Sequence, residues 1–286
     1  MTVHDARLHA FRSDLADARL KGEVTAERFV AGRAARITAP VADVLKAPRA
    51  DAGLNTQFLH GDDVLVFEEG DGWAWVQAER DGYVGYVAAT ALDARAVAPT
   101  HIVSVPRTFV YPGPDLRFPR SGQLSMGSTV AVTGAAETRG TAYAVLASGE
   151  AIIAKHLRPM TETATDYVSV AEMFLDTPYL WGGVSGFGID CSGLVQLSMR
   201  MAGKDVLRDS DMQAASIGTP FEPGADFSGL RRGDLVFWKG HVAIMTDARD
   251  MIHANGHTML VSREGLGEAV DRIGYLYGGP TGFRRP

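Results

Sequence analysis

One cysteine and two later histidines carry the chemistry that this sequence could perform. Cys191, the only cysteine in the chain, lies in the run YLWGGVSGFGIDCSGLVQLSMRMAG, where a glycine-rich loop gives way to a helical pattern. An unpaired cysteine is commonly a small buried hydrophobe. A helix start changes its chemistry, because unpaired backbone N–H groups and the helix dipole stabilise a thiolate and predict a lowered pKa. The Cys191 N–H, at the same helix end, could donate to an oxyanion. A thiol nucleophile also needs a base. His241 opens the strand-like run HVAIM directly after Gly240, and His253 lies one strand later in MIHANG. If these strands are neighbours, His253 can bond His241 and fix its tautomer and ring plane, leaving the other nitrogen for sulfur. The same three residues could suggest zinc, but no fourth ligand stands at a short spacing, so neither a metal nor a cofactor is expected. His257 competes as the orienting residue and is assigned instead to a surface turn.

The elements that must position these groups follow from periodicity. In TDYVSVAEMFLDT, residues Tyr167, Val170, Ala171, Phe174 and Leu175 share one face at 3.6 residues per turn, which predicts a helix. A second helix is expected from about Cys191 to Met201, ended by Gly203. Strand-like segments follow: GDLVFWK, HVAIMTD, and MIHANG paired with TMLVSRE across a turn. Helices first and an antiparallel sheet afterwards describe an α+β domain.

Ahead of it, from Ala39 to Leu157, short β-rich runs such as VLVFEE, WAWVQAE and YVGYVAA alternate with Gly, Pro and Asp turns, the pattern of small all-β barrels. A weak repeat at an offset of 66 residues matches Val44 with Val110, Pro48 with Pro114, Gly61 with Gly127, and Val64 with Val130. Two copies are too few for a solenoid and indicate tandem barrels. The expected boundaries are a partly helical N-terminal segment over 1–36, barrels over 37–97 and 98–160, and the α+β domain over 161–286.

Composition narrows the partners. The chain has 286 residues, 46% hydrophobic and 22% charged, with a formal charge of −6 and no Lys/Arg block. Nucleic acid and anionic membranes are therefore disfavoured, and soluble small or peptidic substrates stay open. The N-terminal run alternates charge with apolar residues and lacks the apolar core of a signal peptide, so a cytoplasmic location is expected.

In order, TPYLWGG, GIDCSGLVQ, RRGDLVFW, HVAIM and MIHANG resemble the NlpC family of papain-like cell-wall peptidases. The resemblance spans roughly the last 120 residues. It implies Cys191 as nucleophile, His241 as base, His253 as the orienting third residue, and Tyr179 as part of the oxyanion site, with a core aromatic as the alternative for Tyr179. The motifs GFGIDCSG and LRDSDMQ resemble the murein-peptide branch, which implies a substrate L-Ala-γ-D-Glu-diamino acid. Asp190 would pair with the L-Ala ammonium, or else cap the helix. Ser192 and Ser210 would hydrogen-bond D-Glu, and Trp181 would line the substrate site. GWAWVQAERDGYVGYV resembles bacterial SH3-like domains, the first of which narrows the cleft in that branch and contributes a tyrosine. Tyr83 matches best, with Tyr86 as competitor, and Asp51 is the candidate acidic partner for the amine. The expected reaction is hydrolysis of the γ-D-glutamyl bond through an acyl-enzyme, in turnover of released wall peptides. The rivals are an exported hydrolase acting on intact wall, a non-catalytic wall-peptide-binding protein, and an acyl transferase on the same scaffold.

Overall fold

Alternate residues of the first β-rich stretch face inward. Val64 and Val66, Ala74 and Val76, and Ala35 and Ile37 pack with Val44, Phe58 and Val87 in one buried cluster. The computed structural model describes residues 4–95 and 97–286, the Tyr277 side chain excepted. The chain divides into two compact units at Met160/Thr161. In the first unit a seven-stranded sheet runs in the spatial order Leu54–Leu59, Val41–Leu45, Val84–Ala88, Trp73–Ala78, Asp63–Gly70, Arg33–Ile37 and Leu92–Asp93. This SH3-like barrel needs a glycine at Gly85, where a Cβ would stand 2.4 Å from Val44 Cγ1.

A second small β-body follows, from three short sheets spanning His101–Pro159, around Val103, Val110, Leu124, Val130 and Ile152. The repeat at offset 66 has a structural basis. Gly61 and Gly127 both hold a left-handed backbone, φ 87° and 86°, where a side chain is strained. Val44, Val110, Val64 and Val130 are all core residues of their own body.

The N-terminal segment differs from expectation. Among its described residues the helical content is one 3-10 turn, Ala18–Leu20; the rest includes the short parallel strand pair Leu15–Asp17 and Arg28–Val30. Arg33–Ile37 also belongs to the barrel, which therefore begins before residue 37. The reason is a period-2 pattern. Ala35 and Ile37 face the core while Arg36 turns outward to Asp63, 2.8 Å away. Ala10 and Leu15 pack with Phe67, Trp75 and Val84 in a second cluster, and the Arg12 guanidinium lies 4.3 Å from the Trp75 ring centre.

The second unit is α+β. Its helices are α1 (Tyr167–Glu172), α2 (Cys191–Met201), α3 (Ser210–Ser216) and α4 (Leu266–Tyr277). Its main strands are β1 (Leu235–Trp238), β2 (His241–Met245), β3 (Asp250–Asn255), β4 (Leu260–Gly265) and β5 (Gly282–Arg285). The antiparallel sheet has the order β5-β1-β2-β3-β4, with Thr219–Pro220 added outside β5. α2 matches its expected span and stops before Gly203, whose φ of 76° suits a helix end. α1 is shorter than its pattern predicts. Asp176 adopts φ 64°, the chain turns, and Leu175 is left exposed instead of lying on the apolar face.

Neither α3 nor α4 is foreseen from the sequence. In α4, Gly267 and Gly274 each cost about 1 kcal/mol relative to alanine, and Gly265 offers no capping side chain. Burial of Leu266 and Ile273 against Val236, Met245 and Met251 offsets this, at about 1.5–3 kcal/mol per side chain. Tertiary packing, not local preference, makes this helix. No described helix is long and apolar enough to cross a membrane.

Candidate active site

The first turn of α2 presents Cys191 to strand β2. The amides of Val242, the residue next to His241, and of Ser192 lie close enough to the sulfur to favour its charged form. His241 starts β2, and its Nε2 lies 2.9 Å from Nδ1 of His253 on the neighbouring β3. With Nε2 directed at His253, the Nδ1 of His241 is the nitrogen left for a thiol proton. The three residues singled out in the sequence thus lie on three elements packed together, α2, β2 and β3. His257 lies exposed in the turn after β3, with its amide donating to Asn255 Oδ1.

The electrostatics differ from the sequence expectation. Burial, reinforced by the Asp190 carboxylate, pushes the Cys191 thiol up to about 12, against the opposing pull of the Val242 amide, Arg208 and the Ser192 amide. Burial also holds His241 down at about 3, with the charges of His253 and Arg272 acting in the same sense. Both shifts favour the uncharged forms, a thiol and a neutral imidazole, over a preformed thiolate at the helix terminus. Two helix-end amides do not outweigh the removal of sulfur from water. Trp238, buried and with its ring centre 5.8 Å from that of His241, forms part of this dry surrounding. Such a pair can act by general base catalysis, with His241 taking the proton as sulfur attacks.

Tyr179 is half-buried, and its amide donates to Met259 O at 2.8 Å. Burial and the charges of Cys191 and Asp190 push its phenol up to about 12. A phenol held protonated next to the thiol can donate to an oxyanion.

Asp190 caps α2. Its Oδ1 accepts from the Gly193 amide at 2.7 Å and from Arg208 Nη1 at 3.0 Å. Its Oδ2 accepts from the Gly182 amide at 2.9 Å and from Arg208 Nη2 at 2.7 Å. This is the helix-capping alternative, extended by a bidentate ion pair to a guanidinium only 1% exposed. The Ser192 hydroxyl also donates to Oδ1, at 3.3 Å, so the carboxylate caps α2 and pairs with Arg208 at once. Ser192 belongs to the same network: Arg208 Nη1 donates to its Oγ at 2.7 Å, and the residue is buried.

The remaining expectations divide. Ser210 begins α3 and is half-exposed, and Trp181 is 70% exposed on the loop before α2. Tyr83 is 3% exposed and packs in the core cluster of the first barrel. The Tyr86 hydroxyl accepts from Arg12 Nη1 at 2.8 Å. Asp51 is an exposed partner of Arg49.

Two contributors escaped sequence reasoning. Arg208 stands 18 residues from Asp190, with no local spacing to link them. Glu264, on β4, has its Oε2 3.2 Å from His253 Nε2 and is gripped by Arg272 of α4. Period-2 alternation could have flagged it, since His253 pairs with Ser262 and Glu264 lies two residues further on the same side of β4. No group of acidic, histidine and cysteine side chains suited to a metal occurs among the described residues.

The NlpC/P60 family profile matches residues 176–269, and that of the bacterial dipeptidyl-peptidase SH3 domain matches residues 44–92. A gamma-D-glutamyl-L-lysine dipeptidyl-peptidase of Bacillus subtilis is 28% identical over 229 residues, 71% of this chain and 73% of that protein. Dipeptidyl-peptidase 6 of Lysinibacillus sphaericus is 26% identical over 272 residues, 84% of this chain and 98% of its own length. The crystal structure of an NlpC/P60 family protein from Bacillus cereus shares the fold, with a TM-score of 0.73 over 88% of this chain and 99% of that one, at 23% identity. A buried thiol at a helix start, an imidazole pair on two adjoining strands and these matches place the second unit in the NlpC/P60 family of cysteine-type peptidases, behind a bacterial SH3-like domain in the same chain.

Proposed function

We propose that this protein hydrolyses the bond between γ-D-Glu and the diamino acid of murein peptides that carry a free N-terminal L-Ala, releasing the dipeptide during turnover of wall fragments. The observation that carries the chemistry is the contact of His241 Nε2 with His253 Nδ1 at 2.9 Å, on the strand whose Val242 amide lies close to the Cys191 sulfur. Cys191 attacks the γ-carbonyl as its proton passes to His241, and Tyr179 and the Cys191 amide donate to the oxyanion. His241 then protonates the leaving diamino acid amine and deprotonates the water that releases the acyl group. The substrate class is supported by the printed names of the Bacillus subtilis and Lysinibacillus sphaericus relatives, both dipeptidyl-peptidases.

The test offers three substrates at equal concentration: L-Ala-γ-D-Glu-L-Lys or its diaminopimelate analogue, the N-acetylated form, and intact sacculi. Mass spectrometry should find the dipeptide L-Ala-D-Glu from the free peptide alone, and no product with Cys191→Ala of unchanged thermal stability. Efficient cleavage of the acetylated peptide or of sacculi would falsify the free-peptide assignment and favour a hydrolase of intact wall. Activity of Cys191→Ala within about tenfold, or 1.4 kcal/mol of barrier, would remove the nucleophile assignment.

A further inference from the structure

His253 is 1% exposed, so its ring nitrogens depend on protein partners. Its Nδ1 meets His241 at 2.9 Å; its Nε2 is buried and makes no aligned hydrogen bond in this structure, with Glu264 Oε2 standing 3.2 Å away, within reach after a small turn of either side chain. Arg272 Nε donates to Glu264 Oε1 at 2.9 Å, and its Nη2 donates to Oε2. These contacts form a single line from α4 through β4 and β3 to β2, in the order Arg272, Glu264, His253 and His241. An ionised carboxylate only accepts hydrogen bonds, whereas a neutral imidazole has one donor and one acceptor nitrogen.

From this geometry we infer that Glu264 is a positioning residue for the peptidase reaction, setting the tautomer of His253 and through it that of His241, with Arg272 holding the carboxylate in place. Glu264 accepts the Nε2 proton of His253, which leaves His253 Nδ1 as an acceptor. That nitrogen accepts the Nε2 proton of His241, and His241 Nδ1 keeps its lone pair for the thiol proton. Each assignment forces the next, because two facing nitrogens cannot both carry or both lack the proton. If the acceptor at Nε2 is lost, His253 can move its proton to Nδ1 and donate to His241, whose own proton then sits on Nδ1 and blocks the base. The pull of His253 and Arg272, which holds the Glu264 carboxyl down at about 2, keeps it an acceptor throughout the working range.

The inference rests on the peptidase reading for its consequence in turnover, but its core can be measured without substrate. In the full chain labelled with ¹⁵N-histidine, nitrogen shifts at pH 7.5 distinguish protonated from bare ring nitrogens. Wild-type protein should show protonated Nε2 and bare Nδ1 on both His241 and His253. Glu264→Leu should give a mixture of both forms at His253 and lower kcat about 10–100-fold, with KM changed less than about threefold. Glu264→Gln, whose amide oxygen can still accept, should recover part of both. Arg272→Gln keeps the carboxylate and should shift the populations less, which preserves the test if Glu264→Leu does not fold. A bare His253 Nε2 in wild type, or unchanged tautomers and kcat in a folded Glu264→Leu, overturns the assignment. If the predicted tautomers are seen but no murein peptide is cut, the functional reading fails and the tautomer assignment stands.

Discussion

Two carboxylate–arginine pairs flank the reacting groups, and they do opposite things. On the α2 side, Asp190 and Arg208 close on each other, on the Gly182 and Gly193 amides and on Ser192, contacts that hold the helix start. On the α4 side, Glu264 is also gripped by an arginine, yet one of its oxygens remains close to His253. The difference teaches that a charged residue beside a nucleophile need not read substrate. Asp190 lies next to Cys191 in the sequence and opposes ionisation of the thiol, whereas Glu264, 73 residues away, connects to the base. A saturated ion pair contributes architecture; an unsaturated one can pass on a preference in proton position.

The largest expected contrast lies within the imidazole pair. His241→Gln should lower kcat/KM by at least about a thousandfold, or roughly 4 kcal/mol, because it removes the proton acceptor. His253→Gln should retain measurable turnover, since an amide can still accept from His241. Equal losses in two folded variants would erase the distinction between base and orienter.

Next in size is the structural pair. Arg208→Met leaves the Asp190 carboxylate buried without its cation and should cost about 3–5 kcal/mol in urea unfolding. If stability is unchanged, Asp190 has access to another partner or to water, and its assignment to architecture is wrong.

Titration sharpens the comparison at smaller cost. His241 is held at about 3 in the fold, below its ordinary 6.5, so the unfolded chain binds the extra proton between those values. Stability from this source is complete above about 6.5 and is lost as pH falls toward 3. Glu264 adds a second loss between 4.5 and about 2, as its depressed carboxyl takes up a proton. Chemical denaturation across pH 7 to 3 should show the first loss in wild type and its disappearance in His241→Gln. The thiol shifts the other way, so iodoacetamide should alkylate Cys191 more slowly than a model thiol at pH 7, and the rate should still climb beyond pH 9. A plateau near pH 6 would restore the preformed thiolate.

The smallest effect is expected at Asp51, whose pairing with Arg49 is open to solvent. Asp51→Ala should change stability by less than about 0.5 kcal/mol in the same urea assay. A larger loss would show that the exposed pair carries structure after all.

By itself the sequence determined the parts governed by local pattern. The span of α2, the succession of strands around His241 and His253, and the barrel-like texture of the first unit follow from periodicities of 3.6 and 2 and from glycines with positive φ. The order of Cys191, His241 and His253 was likewise sufficient to nominate the reacting set. Tertiary structure alone decided what each charged or aromatic side chain does. Asp190 became a cap because Arg208 folds back from 18 residues away, Tyr83 became core because the barrel closes over it, and Cys191 became a neutral thiol because burial outweighs two amides. α4 exists because its apolar face meets the sheet, and its arrival brings Arg272 to Glu264. The physical reason is common to all four: hydrogen-bond saturation and desolvation depend on every neighbour in space, and a linear pattern specifies only the neighbours along the chain.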